Sequence, residues 1–562
     1  MKIALVAVNA KYPHTNPAIR SLKSAAKRDG FDIELKEYTV NMPLRQIVDD
    51  LYDPETGVYG LSAYIWNIEI LLKIASAVKI LNPGAAVLLG GPEVSFETKD
   101  LMAHSRMIDY VIAGEGEEAF ACFLDFLGGS LPVSQVPSLF YRDGEEIREN
   151  PPASAADLND LPFIYEDIAG LQGRVIYYES SRGCPYRCSF CLSSAAEGVR
   201  FRSIEHVKRD IGRFIKAGVM KVKFVDRTFN ADRGRAREIL TYIIESSVKT
   251  GFHFEISASL LDDETIALLQ KSPKGLIQVE AGVQSVYPQT LQAVNRNEGF
   301  EKIKANLLKL MSLRNIHTHI DLIAGLPYEG YAEFRNSFDS AFFLKPDDLQ
   351  LGFLKLLKGC ALRDEAGNYG IHYEPYAPYT VLRTNHISFA ELMRLRRMET
   401  LLSRLYNSGL LSNTVYYLAG IKKSAFVLFE ELDGFFHTSK VQGEMKQTDL
   451  CEMLFRYALH VADESIVKNL MRLDLCMGRA KVLPGYLYDE RSAAFEKDFT
   501  KGEEWRPLWE TVKIPRKDCR VAMFDIDAAL FLCEGCLVKA ASCILFDYTD
   551  KRSTAVIRLN VT

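Results

Sequence analysis

Three cysteines stand within eight positions in the segment SRGCPYRCSFCLS, residues 181–193. Cys184, Cys188 and Cys191 have the spacing C-x3-C-x2-C, and no fourth Cys or His follows within the next ten residues. A structural zinc site is normally closed by four protein ligands, which often come as two Cys-x2-Cys pairs. A 4Fe-4S cluster normally takes four thiolates, so three would leave one iron open. The segment therefore predicts a metal centre with one position available for chemistry.

The elements that would position this centre are alternating strands and helices in the middle of the chain. The cysteines follow the first strand of the series, and reactive groups of a barrel lie in the loops that follow its strands. Six such units predict a partial (β/α)6 barrel. The predicted strands cover residues 175–180, 221–226, 252–257, 276–285, 318–325 and 349–357.

The first 130 residues show a second series of short apolar strands with amphipathic helices between them. This alternation predicts a doubly wound, Rossmann-like parallel sheet, which binds ligands beyond the carboxyl ends of its strands. No G-x-G-x-x-G dinucleotide motif follows the first strand. The predicted strands cover residues 3–8, 31–35, 58–65, 85–91 and 109–114.

These predicted elements divide the chain into four parts. Residues 1–150 form the doubly wound domain, which ends in a hairpin with its turn at Asp143-Gly144. A proline-containing linker covers 151–169, and the barrel covers 170–385. Residues 386–562 form a mostly helical α+β domain that closes with a hairpin and carries no assignable motif. The fold class is therefore α/β with a carboxyl-terminal α+β domain.

The segment RGCPYRCSFC resembles the signature of the radical S-adenosylmethionine (SAM) superfamily, as do the segments 224–229, 280–296 and 321–327. The resemblance implies that Cys184, Cys188 and Cys191 hold a 4Fe-4S cluster whose fourth iron binds SAM. It also places Phe190 near the adenine. Polar residues at strand ends are the other predicted SAM contacts: Glu280, Gln284, Asp226, Glu255 and Asp321.

The amino-terminal region resembles the cobalamin-binding domain that precedes the barrel in one subgroup of this superfamily. Lys11 occupies the position of the cobalt-ligating histidine, so this loop supplies no histidine there. His14 is expected to be a hydrogen-bonded loop residue, with cobalt ligation as the alternative. The predicted cobalamin contacts are Asn9, Lys11, Ser62, Ala63, Tyr64, Trp66, Gly90, Gly91, Pro92, Glu93, Gly114, Glu115 and Gly116.

The two resemblances imply an enzyme that uses a 4Fe-4S cluster, SAM and cobalamin. The expected reaction is methyl transfer from methylcobalamin to an unactivated carbon of a small molecule or peptide, after hydrogen abstraction by the 5'-deoxyadenosyl radical. A flavodoxin or ferredoxin is the expected electron donor. The alternatives are a rearrangement, cyclisation or ring contraction, a protein that only carries the cofactors, and tRNA modification.

Composition narrows these alternatives. A net charge of −5 provides no general basic field for nucleic acid, which disfavours tRNA as the substrate. No run approaches the roughly 20 apolar residues of a membrane helix, and no signal peptide is evident, so a cytoplasmic protein is expected. Eleven cysteines, an odd and scattered set, fit a reducing compartment.

Two further pairs of residues carry expectations. Cys533 and Cys536 form a C-x2-C pair in an apolar run and are expected to be buried thiols, with a redox or second-cluster role as the alternative. Arg200 and Arg202 follow the cysteine segment and are expected to be a solvated surface pair. Their alternative role is to hold a carboxylate of SAM or substrate.

Overall fold

The computed structural model describes residues 1–26, 28–195, 198–247, 249–438, 445–480, 482–502, 505, 514–550 and 554–559. Its amino-terminal part is a seven-stranded sheet in the order β2-β1-β3-β4-β5-β6-β7. The first five strands run parallel, and the hairpin predicted at residues 138–149 adds two antiparallel strands at one edge. The strands are β1 (Lys2–Asn9), β2 (Asp32–Thr39), β3 (Thr56–Ser62), β4 (Ala86–Gly90), β5 (Tyr110–Ile112), β6 (Leu139–Asp143) and β7 (Glu146–Glu149).

Helices cover both faces of this sheet, as continuous apolar strands require. Residues from α2, α3 and α4 share one apolar core with the sheet, and residues from α1 and α5 share the other. Asn16 caps α1 by accepting a hydrogen bond from the amide of Ile19. The helices are α1 (Pro17–Ala25), α2 (Leu44–Leu51), α3 (Ile68–Leu81), α4 (Thr98–His104) and α5 (Glu117–Leu127).

The second sheet has six parallel strands in the order β15-β14-β13-β12-β11-β8. Sequential parallel neighbours with intervening helices give the predicted (β/α)6 arrangement. Its strands are β8 (Val175–Tyr178), β11 (Lys221–Phe224), β12 (Gly251–Ile256), β13 (Ile277–Gln284), β14 (His317–Ala324) and β15 (Asp348–Phe353). Its helices are α6 (Ile204–Ala217), α7 (Arg233–Ser246), α8 (Asp263–Gln270), α9 (Pro288–Ala293), α10 (Phe300–Ser312) and α11 (Tyr331–Phe342).

Two small hairpins that the sequence reading did not predict accompany the barrel. β9 (Ser181–Gly183) pairs antiparallel with β10 (Val199–Phe201), and β16 (His372–Tyr373) pairs with β17 (Val381–Arg383). The short α12 (Ala361–Asp364) lies between β15 and β16. The first of these hairpins brackets the cysteine segment.

The carboxyl-terminal part begins with helices that share an apolar core with β13, β14, α10 and α11 of the barrel. A three-stranded antiparallel sheet follows, so the predicted terminal hairpin has an additional strand. The turn residues 551–553 lie outside the described residues. The helices are α13 (Phe389–Leu402), α14 (Ser412–Lys422), α15 (Ala425–Thr438), α16 (Gln447–Ala458), α17 (Glu464–Met477), α18 (Glu490–Lys501) and α19 (Ala528–Glu534), and the strands are β18 (Cys519–Phe524), β19 (Ser542–Asp547) and β20 (Ala555–Leu559).

Across the part of the chain that the structure describes, every helix is too short or too polar to cross a bilayer.

Candidate functional site

The cysteine loop follows β8 of the barrel, and the strands of the β9–β10 hairpin flank it. Gly183, which directly precedes Cys184, has φ +104°, in the region that favours glycine. A Cβ at this position would overlap the carbonyl oxygen of Gly198 on the opposite strand. The hairpin therefore fixes where the chain enters the loop, and only glycine fits at position 183.

The three thiols lie in a partly desolvated environment. Cys188 is buried, whereas Cys184 and Cys191 are half-buried, and all three are free. Burial raises the pKa of the Cys188 thiol, against the opposing effect of the Arg296 guanidinium, whose Nη1 lies 3.8 Å from the sulfur. The Cys184 sulfur lies 3.4 Å from the hydroxyl of Thr228.

The sulfur atoms are spread more widely than ligands of a single zinc ion. Zn–S bonds of about 2.3 Å bring tetrahedral thiolates within about 4 Å of one another. Among the described residues, the one group of three metal-ligating side chains whose ligand atoms all lie within 4.8 Å contains no cysteine. The three sulfur atoms therefore do not all lie within 4.8 Å of one another, and three free thiols on one loop fit a 4Fe-4S cluster with one iron left open.

A polar network beneath the loop anchors it to the barrel. The Tyr186 hydroxyl donates to Ser257 Oγ at 3.0 Å, and Ser257 donates in turn to Glu298 Oε1 at 2.6 Å. Glu298 also lies 3.1 Å from Arg296, which donates to the carbonyl of Gly282 at 2.6 Å. The sequence reading did not assign Tyr186, Arg296 or Glu298, because their partners come from strands distant in the chain.

A cavity of about 810 Å³ lies between the cysteine loop and the carboxyl edge of the amino-terminal sheet. Its lining includes Gly183 and Leu192, which flank the three cysteines, together with Ser62 and Gly90 of the sheet, whereas the cysteines themselves are not part of the lining. Both domains therefore open onto one space. The predicted cobalamin contacts that line it are Asn9, Ser62, Tyr64, Trp66, Gly90, Gly91, Pro92, Gly114, Glu115 and Gly116.

One side of the cavity is an apolar slot between the sheet and helix α1. Leu5, Ile19 and Leu88 line it, and Gly60 lies in the middle of β3 with its Cα toward the side chain of Leu5. A Cβ on Gly60 would come within 2.6 Å of Leu5 Cδ2, so glycine makes room here for the Leu5 side chain. An apolar slot of this kind fits the flat nucleotide base of a cobalamin tail. The sequence analysis did not assign Gly60, although a glycine inside a buried strand is a signal that could have found it.

The loop after β3 presents two stacked aromatic rings to the cavity. Tyr64 and Trp66 stack with centroids 4.4 Å apart, and the Trp66 indole donates to the carbonyl of Val8 at 3.2 Å. Asn67 fixes this loop by donating to the carbonyls of Val8 and Ser62. Trp66 is therefore held in place although it is 46% exposed.

Three predicted cobalamin contacts do not line the cavity, whereas His14, the alternative cobalt ligand, does. Lys11 is exposed, and Ala63 is buried against the turn at Gly91. Glu93 is buried and accepts a hydrogen bond from the hydroxyl of Tyr379. His14 lines the cavity, and its Nδ1 lies 3.0 Å from the Tyr177 hydroxyl, so it is the hydrogen-bonded loop residue that the sequence suggested.

The predicted SAM contacts fall into three environments. Asp226 is fully buried and accepts hydrogen bonds from the amide and hydroxyl of Ser180. Burial raises the pKa of Asp226 to about 6, against the effect of those bonds. Its carboxylate is therefore already engaged by the strand that leads into the cysteine loop.

Glu255, Glu280 and Asp321 instead form part of a charged group inside the barrel. Burial alone would raise the pKa of Glu280, but a hydrogen bond from His253 and the charge of Lys223 outweigh it and lower the pKa to about 2. Burial raises the pKa of Glu255 and of Asp321. Glu280 is thus an ion-paired carboxylate.

Gln284 and Phe190 lie nearer to the cysteine loop. Gln284 ends β13 with φ +68°, and its Oε1 is buried without a hydrogen bond in the described residues. Phe190 is half-buried and packs against the apolar core shared by β13–β15 and the carboxyl-terminal helices. Both side chains remain candidates for contact with a bound ligand.

Arginines near the loop join the two domains, so the expectation of a solvated surface pair was wrong. Arg200 pairs with Glu115 and donates to the carbonyl of Ala156, while Arg202 is buried with Nη1 3.5 Å from Asp210. Arg182, which the sequence reading did not assign, pairs with Glu117 at 2.8 Å. Glu115 and Glu117 of the amino-terminal domain thus bind Arg200 and Arg182 across the domain boundary, whereas Arg202 pairs with Asp210 of α6 within the barrel.

The second cysteine pair also departs from expectation. Cys533 and Cys536 are exposed rather than buried, because α19 ends at Glu534 and Gly535 reverses the chain with φ +71°. Only part of the surrounding apolar run faces the core formed by α17 and the carboxyl-terminal sheet.

Comparison with known protein families gives a match to each of the three parts of the chain. Residues 3–124 match the model of a B12 binding domain, residues 178–341 match the radical SAM superfamily, and residues 367–527 match a protein family of unknown function, DUF4080. The fold and the cysteine loop thus define a radical SAM protein with a B12-binding domain. The cofactors of these two domains are a 4Fe-4S cluster, SAM and cobalamin.

Two relatives and one solved structure illustrate the likeness. The 2-(S-pantetheinyl)-carbapenam-3-carboxylate methyltransferase of Streptantibioticus cattleyicolor is 27% identical over 60% of this chain and 53% of its own length. The cobalamin-dependent radical SAM methyltransferase TokK of Streptomyces tokunonensis is 26% identical over 67% and 59%. The chain thus spans just over half the length of these relatives. The cobalamin-dependent S-adenosylmethionine radical enzyme OxsB shares the fold, with a TM-score of 0.60, 17% identity and coverage of 91% and 83%.

Proposed function

We propose that this protein is an enzyme that moves a methyl group from cobalamin to an unactivated carbon of a small molecule or peptide. The observation that carries the proposal is the common cavity, which the cysteine loop and the carboxyl edge of the sheet line together. When bound, the cluster with SAM supplies hydrogen abstraction and cobalamin supplies the methyl group. The names of the two relatives, both methyltransferases, support methylation over rearrangement, cyclisation or ring contraction.

In this proposal, residues in and around the cysteine loop hold the cluster and SAM. Cys184, Cys188 and Cys191 are the three cluster ligands, and Arg296 offsets negative charge beside Cys188. Phe190, Gln284 and Glu255 are the side chains that we assign to SAM. The carboxylates of Asp226 and Glu280 already have partners, so their role in this proposal is to fix the strands around the loop.

The amino-terminal domain holds cobalamin in the same proposal. The slot bordered by Leu5, Ile19 and Gly60 takes the nucleotide tail, and the glycines at 90, 91, 114 and 116 let the backbone approach the cofactor. Trp66 offers a fixed aromatic face. Lys11 lies off the cavity, so the position of the usual histidine ligand contributes no donor.

The chain's own residues also shield the reaction. Pairing of Arg182 with Glu117, and of Arg200 with Glu115, closes the two domains around the cavity and limits the entry of water. Exclusion of water protects reactive species from side reactions. A low-potential flavodoxin or ferredoxin is the proposed electron donor.

Transfer of a labelled methyl group tests this function. Cluster-loaded, cobalamin-loaded protein is incubated without oxygen with a reductant, SAM carrying a CD3 group and a pool of cell metabolites and peptides. We expect 5'-deoxyadenosine together with a product that carries the CD3 group, and neither with Cys188→Ala. Formation of 5'-deoxyadenosine with a product that lacks the label would favour the rearrangement or cyclisation alternative. Absence of 5'-deoxyadenosine from fully loaded protein would exclude both.

A further inference from the structure

A group of metal-ligating side chains lies inside the barrel, away from the cysteine loop. Glu280 is on β13, and His319 and Asp321 are two residues apart on β14, where the register pairs Glu280 with His319. One ligand atom from each of the three lies within 4.8 Å of the others. Alternation along a strand places residues i and i+2 on the same face, so His319 and Asp321 both point to the side of Glu280.

Two buried atoms of this group face each other as an ion pair without a well-aligned hydrogen bond. His319 Nε2 and Asp321 Oδ1 lie 3.0 Å apart, yet neither makes an aligned hydrogen bond within the described residues. Buried polar atoms that lack a well-aligned partner usually mark a site for water, an ion or a ligand. Here two of them converge on the same point.

Neighbouring side chains contact Glu280, the third member of the group. His253 Nε2 lies 2.9 Å from Glu280 Oε2, and the Lys223 ammonium lies 3.3 Å from the same oxygen. Lys223 also lies 3.6 Å from Glu255 Oε1. These contacts orient the Glu280 carboxylate from behind, as outer hydrogen-bond partners orient the carboxylate ligands of metal sites.

We propose that Glu280, His319 and Asp321 bind a divalent transition-metal ion inside the barrel, at a site separate from the cluster. One imidazole nitrogen with two carboxylate oxygens suits Mn²⁺, Fe²⁺ or Zn²⁺. Bonds of about 2.0–2.2 Å bring ligand atoms to at most about 4.4 Å apart, so only a small closure of the observed arrangement is needed. Among the described residues none of the three lines the common cavity. The inference therefore does not depend on the proposed methyl transfer.

The charge of the group agrees with a cation at this point. Glu255, Glu280 and Asp321 contribute three carboxylates, and Lys223 is the ammonium group in contact with them. His253 and His319 are the imidazoles that face the same carboxylates. A divalent ion would add positive charge beside these carboxylates and would give the His319 nitrogen and the Asp321 oxygen a common partner.

Titration of Mn²⁺ into cluster-loaded protein tests the proposal. Mn²⁺ prefers oxygen and imidazole donors over thiolates, so the cysteine loop competes poorly for it. Loss of the free-ion EPR signal measures binding, and pulsed EPR detects a nitrogen bonded to the ion. We expect one tightly bound Mn²⁺ per chain with imidazole nitrogen coupling. His319→Ala and the isosteric Asp321→Asn should each weaken binding at least tenfold, with iron content unchanged.

His317 provides the matched control, because it lies on the same strand two residues earlier and pairs with Asp348 at 2.7 Å. His317→Ala should retain the bound ion and its nitrogen coupling. Wild-type protein without a nitrogen-coupled Mn²⁺ would overturn the proposal, as would binding that survives His319→Ala or disappears with His317→Ala. If His319→Ala loses iron, the wild-type spectrum and Asp321→Asn decide the question. Failure of methyl transfer alone would leave this result unaffected.

Discussion

At the scale of single residues, the functional side chains are positioned by partners from distant parts of the chain. Arg296 contacts Cys188 but is itself held by Glu298 and by the carbonyl of Gly282. The cysteine spacing predicted the cluster ligands, because ligand identity is local in sequence. It could not predict Arg296 or Tyr186, whose roles arise only when β12 and β13 come beside the loop.

Glu329 shows how a buried carboxyl group fixes the loop after β14. It accepts hydrogen bonds from Ser285 at 2.7 Å and from Ser337 at 2.6 Å, and it is 1% exposed. Burial raises the pKa of Glu329 to about 7, although these two hydrogen bonds oppose the rise. The folded protein therefore holds a proton that the unfolded chain loses above its ordinary pKa.

The raised pKa of Glu329 predicts that the stability of wild type and of Glu329→Gln depends differently on pH. Between about pH 4.5 and 7 the folded state binds the extra proton, so stability falls as pH rises, by up to roughly 3 kcal/mol. Glu329→Gln removes this contribution. We expect wild type to lose stability relative to Glu329→Gln between pH 5 and pH 8, measured by thermal unfolding. Glu264→Gln, on the exposed face of α8, should track wild type. Parallel curves for wild type and Glu329→Gln would contradict the assignment.

At the scale of elements, glycines at strand ends shape the cavity. Gly91 has φ +118°, and a Cβ there would overlap the carbonyl oxygen of Ala63, so its replacement would break the turn itself. Gly90 differs, because an added Cβ would meet the carbonyl of Ile112 at an ordinary 3.7 Å. Gly90 is therefore the position at which the cavity can be filled without damage to the backbone.

Gly90→Leu tests whether the cavity holds cobalamin. An added side chain at this lining position should weaken cobalamin binding by about ten- to a hundredfold, which corresponds to roughly 1–3 kcal/mol of overpacking. The measurement is the absorbance of protein-bound cobalamin after gel filtration, with the four irons per chain retained. Gly420→Leu, on an exposed part of α14 with open space around it, is the matched control. Unchanged cobalamin binding in Gly90→Leu would refute the assignment of this cavity to cobalamin.

The sequence predicted the elements well wherever burial imposes a simple pattern. Continuous apolar runs revealed the parallel strands β1, β3 and β4, because both faces of each are covered. The short β9–β10 hairpin carries no such pattern, since it is defined by pairing across the cysteine loop. The burial of Arg202 and the exposure of Cys533 depend on which distant residues pack beside them, and local sequence does not encode this.

At the scale of the whole molecule, charge pairs hold the B12-binding domain against the barrel. Arg182 lies two residues before Cys184 and contacts Glu117 at the start of α5, so the same short segment reaches both the cluster loop and the other domain. Arg20 and Arg174 add further pairs, with Asp167 and Glu37. These links make the position of the cobalamin cavity relative to the cysteine loop a property of the fold.

The central claim is that cluster and cobalamin share one cavity, and their magnetic interaction measures this directly. In protein loaded with cob(II)alamin and a reduced cluster, we expect the cluster to broaden the cob(II)alamin EPR signal and to speed its relaxation. Cys188→Ala, which lacks the cluster, should restore the sharp signal of isolated cob(II)alamin. A cob(II)alamin signal with the same width and relaxation in both samples would contradict the account.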